Sequence, residues 1–131
     1  MNLGQEKKCA NILVIDDDET ITDLVKTVLS SDGHDVVCAN SGAEGLQQAS
    51  DLHPDLIFVD ITMPDLTGYE VTEHLKAKPD LANTPIIYLT GRSASEDGGR
   101  SFATGGLAYI RKPFVPKQLR DLVALTLQSI E

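Results

Sequence analysis

Reactive side chains recur where short apolar runs stop. Asn11-Ile-Leu-Val-Ile15 gives way to Asp16-Asp17-Asp18-Glu19, and Asp55-Leu-Ile-Phe-Val59 to Asp60. Pro85-Ile-Ile-Tyr-Leu89 ends on Thr90, and Leu107-Ala-Tyr-Ile110 runs into Arg111-Lys112. A short apolar, β-branched run closing on a carboxylate reads as a strand buried on both faces, its acid placed where water begins. If these strands lie parallel, their ends share one edge. Asp16, Asp17 and Asp60 brought within a few ångströms cannot all stay ionised unaided, because like charges raise one another's pKa. A cation must then share the pocket, and an oxygen-only set with positions left for water suits Mg²⁺. Lys112 adds a fixed charge and Thr90 a hydroxyl donor. Such a pocket stabilises an incoming phosphoryl group, whose transfer is mostly positioning and charge neutralisation. Asp60 can then act as the nucleophile, as in other aspartyl-phosphate chemistry. Each residue has a plainer role when taken alone: Asp60 or Thr90 as a turn cap, Lys112 as a solvated charge, Tyr109 as a half-buried strand aromatic. Their joint placement at strand ends carries the reading.

The elements that must position them alternate along the chain. After the first acids, Ile21, Leu24, Val25, Val28 and Leu29 recur at helical spacing, up to Gly33. Asp17 or Asp18 is expected to cap that helix whatever else it does. Asp35-Val-Val-Cys-Ala39 is a strand, and Ser41 opens a short helix that Pro54 closes off before the Asp60 strand. Met63-Pro64 and Gly68 punctuate a loop. Val71 and Leu75 outline a third helix, ended by Pro79. A weak helix over Ser93 to Thr104 follows the Thr90 strand; its adjoining Gly98 and Gly99 each cost up to ~1 kcal/mol against alanine. From Pro116, the residues Leu119, Leu122, Val123, Leu127 and Ile130 make the last apolar stripe, with Leu125 off it. Five strand-helix alternations imply an α/β fold, a parallel sheet covered by helices on both faces through right-handed crossovers. If the strand order is 2-1-3-4-5, the reversal lies between the first and third strands and puts Asp16, Asp17 and Asp60 together.

The 131 residues fit one domain, read as a flexible polar lead over 1–10 and a folded unit over 11–131. No apolar run approaches the ~20 residues of a membrane span, and the N-terminus lacks the apolar core of a signal peptide, so a cytoplasmic address is expected. A net charge of −9 argues against direct nucleic-acid binding, which needs a basic face. Cys9 and Cys38 show no metal-ligand spacing and are read as reduced thiols. His34, His53 and His74 are read as surface or loop residues.

Val14-Ile-Asp-Asp-Asp18, Val59-Asp-Ile-Thr-Met-Pro64 with Gly68, Leu89-Thr-Gly91 and Lys112-Pro-Phe114 closely resemble the CheY-like receiver domain of two-component response regulators. The resemblance runs from about Ile12 to Ile130. It implies a flavodoxin-like (βα)5 three-layer sandwich in which Asp60 is the phosphoacceptor. Asp16, Asp17, Asp60 and the backbone carbonyl of Thr62 would bind Mg²⁺, while Thr90 and Lys112 would hold the phosphoryl oxygens. It further implies a Thr90–Tyr109 switch, a cis peptide at Lys112-Pro113, and tuning of acyl-phosphate hydrolysis by Thr62 and Arg92. The partners implied are a histidine kinase or histidine phosphotransfer protein and a downstream effector, met on the face of the Ser93–Thr104 helix, the fifth strand and the last helix. That face would also serve a homodimer, and Leu125 is a candidate contact. Such a chain is not an enzyme beyond catalysing its own phosphorylation and dephosphorylation. Gly91 and Gly105-Gly106 depart from the commoner alanine-containing pattern without threatening the chemistry.

Two rivals come from other classes. Asp16-Asp-Asp18-Glu-Thr20 also fits the DxDxT motif of haloacid dehalogenase-like Mg²⁺-dependent phosphatases, with Asp16 as nucleophile and Asp18 as general acid. Those enzymes need a further acidic pair after the lysine, and Asp121 and Glu131 lie on the final helix. The other rival is an interaction module that keeps the fold and takes no phosphate.

Overall fold

The computed structural model describes residues 9–91 and 105–129. Five strands and four helices are described: β1 (Asn11–Ile15), α1 (Glu19–Ser31), β2 (Asp35–Ala39), α2 (Gly42–Leu52), β3 (Leu56–Asp60), α3 (Gly68–Lys76), β4 (Ile86–Thr90), β5 (Ala108–Arg111) and α4 (Pro116–Ser129). The helix expected over Ser93 to Thr104 lies outside the described residues, as does Arg92. Every strand pairing is parallel and the sheet order is β2-β1-β3-β4-β5. The expected order and class are therefore the observed ones.

Alternation along each strand divides the core into two layers, because successive side chains point to opposite faces. Ile12, Val14, Phe58, Ile87, Leu89 and Ile110 face α1 and α4, where Val25, Leu29, Leu119, Val123 and Leu127 meet them. Leu13, Ile15, Ile57, Val59, Ile86 and Tyr88 face α2 and α3, against Ala49, Tyr69, Val71 and Leu75. All five residues of β3 are buried, as a central strand covered on both faces requires. Tyr88 and Tyr109 stand in register on neighbouring strands, and the Tyr69 ring meets Tyr88 edge-on at 5.2 Å.

The helix ends follow the expected chemistry. Asp18 caps α1 through Thr20 N, and Ser41 caps α2 through Glu44 N. Thr67 and Glu70 form a reciprocal capping box on α3. Two strand starts shift by one residue: β4 begins at Ile86 because Pro85 has no N–H for the ladder, and β5 begins at Ala108, with Leu107 half exposed. Ala10, read as part of the lead, is buried. Its carbonyl accepts from Asp35 N at 2.9 Å and its N–H donates to His34 Nδ1 at 3.0 Å. The three histidines do lie in loops or on a helix surface, and two have structural partners. His34 holds the start of β1, and His53, in the left-handed conformation at the end of α2, pairs with Asp80. Among the described residues, no helix is long and apolar enough to cross a membrane. Cys9 and Cys38 are both free.

Candidate phosphoryl and metal site

Parallel strands deliver their C-terminal ends to one edge, and β1 and β3 are neighbours there. Asp16 leaves β1 fully buried, Asp17 next to it is exposed, and Asp60 closes β3 buried at 5 % exposure. One carboxylate oxygen of each lies within 4.8 Å of the others, so the convergence expected from the strand order is present. Thr90, buried, closes β4 one residue beyond Leu89, the register partner of Asp60. Its carbonyl accepts from Lys112 N at 2.7 Å, which ties the exit of β5 to the end of β4. From there the Lys112 amine reaches back past β4, standing 2.8 Å from Asp16 Oδ2 and 3.2 Å from Asp60 Oδ1. The Lys112–Pro113 peptide is cis. Thr62 is exposed in the loop after β3, and Tyr109 is half-buried against the α2 and α3 layer.

The electrostatics follow from this crowding. Burial pushes the Asp60 carboxyl up, the charge of Asp16 adds to it, Lys112 opposes both, and Asp17 raises it further; the result is a pKa of about 7. Burial alone would lower the Lys112 amine, but hydrogen bonding and attraction from Asp16 and Asp60 outweigh it and leave the amine raised. One ammonium therefore faces three carboxylates. The donor set fits a hard divalent cation: all its ligands are oxygens, the charge excess is negative, and the exposed Asp17 leaves the water side open.

Three positioning contacts join residues whose proximity the sequence does not show. Gly68 N donates to Ile61 O at 2.8 Å, and a Cβ on Gly68 would lie 2.6 Å from Asp60 O and 2.9 Å from Ile61 Cα. Only a residue without a Cβ lets α3 start this close to the end of β3. Asp65, in the same loop, accepts from Gly42 N and Ala43 N at 3.0 Å each, and this bonding holds its carboxyl below the usual range. Asn40 Nδ2 donates to Asp16 O at 3.1 Å. Asp18, the general acid of the phosphatase reading, instead spends its carboxylate on Thr20 N, and its own N–H donates to Asp16 Oδ1 at 3.0 Å. Asp16, the nucleophile of that reading, is fully buried beside Lys112.

The sequence pattern of the family described as "response regulator receiver domain" matches residues 12–124. Protein PilG of Pseudomonas aeruginosa is 35% identical over 117 residues, which cover 89% of this chain and 87% of PilG. The probable transcriptional regulator ycf27 of Porphyridium aerugineum is 38% identical over 120 residues, 92% of this chain and 49% of that protein; the chain thus spans about half the length of such regulators. Among solved structures, the chemotaxis response regulator CheY4 of Vibrio cholerae superposes with a TM-score of 0.86 at 30% identity, covering 90% of this chain and 98% of that one.

Proposed function

The chain belongs to the family of response regulator receiver domains, and from that premise we propose that it takes a phosphoryl group onto Asp60 and passes the change to an effector. Residues 11–131 act as the receiver unit, with 1–10 as a lead whose last residue, Ala10, is bonded into the fold. The observation that carries the reading is the placement of one amine between two acids, 2.8 Å from Asp16 and 3.2 Å from Asp60. Asp16, Asp17, Asp60 and the Thr62 carbonyl would hold Mg²⁺, which supplies charge neutralisation for carboxylates and phosphoryl oxygens alike.

An Asp60 carboxylate oxygen attacks the phosphorus of a phosphohistidine. The new O–P bond forms as the P–N bond breaks, and the electron pair leaves on the imidazole nitrogen, which takes up a proton. Lys112 and the Thr90 hydroxyl stabilise charge on the transferred oxygens. Movement of Thr90 toward the phosphoryl group then makes room for Tyr109 to turn inward, a shift of population between two states. Thr62 and Arg92 tune hydrolysis of the acyl phosphate. A histidine kinase or histidine phosphotransfer protein is the donor. The face containing β5 and α4 is the output surface and the place for a homodimer; there Leu125 is 61 % exposed. Catalysis is confined to the chain's own phosphorylation and dephosphorylation. With a charge of −9 the unit makes no direct nucleic-acid contact. Membership of the receiver family supports a cytoplasmic setting.

Site mapping tests the reading. After acetyl phosphate and Mg²⁺, the protein gains the mass of one phosphoryl group, and Asp60→Ala abolishes the gain. Loss in Asp16→Ala but not in Asp60→Ala would support the phosphatase chemistry instead. Unchanged tryptic and spectroscopic behaviour with Mg²⁺ and beryllofluoride would favour a phosphate-free interaction module.

A further inference from the structure

β1 and β3 are paired as far as Ile15 and Val59, and the proposed metal ligands lie at or just beyond the ends of these strands. Asp16 and Asp17 leave β1; Asp60 and Thr62 belong to the end of β3 and the loop beyond it. The turn between β2 and α2 contacts both. On one side, Asp16 N donates to Ala39 O at 3.0 Å, and Asn40 Nδ2 donates to Asp16 O at 3.1 Å. On the other, the first two amides of α2, Gly42 N and Ala43 N, donate to the separate oxygens of Asp65, three residues past Thr62. These amides are among those a helix leaves without intrahelical partners, so Asp65 binds a donor pair that needs an acceptor.

We propose that Asn40 and Asp65 are positioning residues that clamp the two acid-bearing loops onto one turn and so set the spacing of the Mg²⁺ ligands. The proposal rests on the functional reading above. Partners that orient metal ligands from outside typically contribute 10- to 100-fold to metal affinity. The clamp lies partly in water, so the expected effect is at the lower end.

Calorimetric titration of the full chain with MgCl₂ tests it. Asn40→Ala, which changes no charge, and Asp65→Ala should each weaken Mg²⁺ about tenfold. Asp65→Asn should fall between Asp65→Ala and the unsubstituted protein, because one carbonyl oxygen can serve only part of the amide pair. The double variant should lose less than the product of the two single losses, since both act through one turn. Ser41→Ala is the control: it removes the α2 cap at Glu44 N on the same turn without touching either acid loop, so it lowers the melting temperature and leaves Mg²⁺ affinity alone. If Asn40→Ala and Asp65→Ala bind Mg²⁺ as the unsubstituted protein does, the clamp is overturned while the receiver reading stands. Equal weakening in Ser41→Ala also overturns it, assigning the loss to general damage of α2. Failure of the unsubstituted protein to bind Mg²⁺ overturns both.

Discussion

Replacing Asp60 with asparagine should stabilise the metal-free protein, by an amount that depends on pH in a defined direction. In the folded state the carboxyl titrates near 7 instead of its ordinary 3.8, chiefly through burial and the neighbouring charge of Asp16. The folded protein thus holds this proton more tightly than the unfolded chain. The Asp60 contribution to stability falls as pH rises from about 4 to about 7 and stays lost above that. At ~1.4 kcal/mol per pH unit, the ceiling is about 4 kcal/mol. Side-chain relaxation and entry of water at the open edge reduce the effective value, and about 2 kcal/mol is a reasonable expectation. For a chain of this length that is a rise in melting temperature of about 6–8 °C. The assay is thermal unfolding followed by far-ultraviolet circular dichroism in EDTA at pH 4.5 and pH 8. Asp60→Asn should unfold near the unsubstituted protein at pH 4.5 and well above it at pH 8, and saturating Mg²⁺ should narrow the pH 8 gap. A gap independent of pH would mean that burial and Asp16 do not hold a proton on Asp60 in this range. A less stable variant at pH 8 would mean that attraction to Lys112 outweighs burial and repulsion.

Three further outcomes are expected, two from the geometry of the site and one from the proposed role of Arg92. Gly68→Ala drives a Cβ to 2.6 Å from Asp60 O, so urea unfolding should show a loss of about 2 kcal/mol, with weaker Mg²⁺ binding as β3 and α3 are pushed apart; a variant as stable as the parent would contradict the close approach. Lys112→Ala leaves Asp16 and Asp60 facing each other without their cation, and in EDTA should cost about 2 kcal/mol, partly restored by Mg²⁺, while phosphorylation by acetyl phosphate is lost. Retained phosphorylation would remove Lys112 from the proposed chemistry. Arg92→Ala should change the dephosphorylation rate and leave Mg²⁺ affinity nearly untouched, and the reverse pattern would show that the side chain acts at the metal.

Much of this architecture was legible because apolar runs of strand length and stripes of helical period are local signals. The Ile12–Ile15 and Leu56–Val59 runs announce buried strands, and their acids mark the edge where those strands end. The alternation implies a parallel sheet, but the order β2-β1-β3-β4-β5, which places Asp16, Asp17 and Asp60 together, enters the sequence reading only as the common one for five strands. Leu125, off the apolar stripe of the last helix, is exposed as that stripe requires. What could not be read lies in contacts across long stretches of chain. Asp65 looks like an ordinary turn residue until its loop is laid against the first turn of α2, and Asn40 likewise until Asp16 is beside it. Arg120, on the outer face of α4, reaches Asp32 at the end of α1, 88 residues away in sequence. Gly68 reads as a loop breaker, yet its packing against the Asp60 backbone depends on how closely α3 approaches β3, a distance that no periodicity encodes. Ala10 reads as part of the lead because a single small residue has no period, whereas its backbone is bonded on both sides.

A crystal structure grown with Mg²⁺ and beryllofluoride would show whether Asp60 is the phosphoacceptor. Beryllium should be bound to a carboxylate oxygen of Asp60, with the Lys112 amine and the Thr90 hydroxyl donating to its fluorides. Beryllium on Asp16, or an unmodified Asp60 at saturating fluoride with the Lys112 amine turned away, would contradict that role for Asp60.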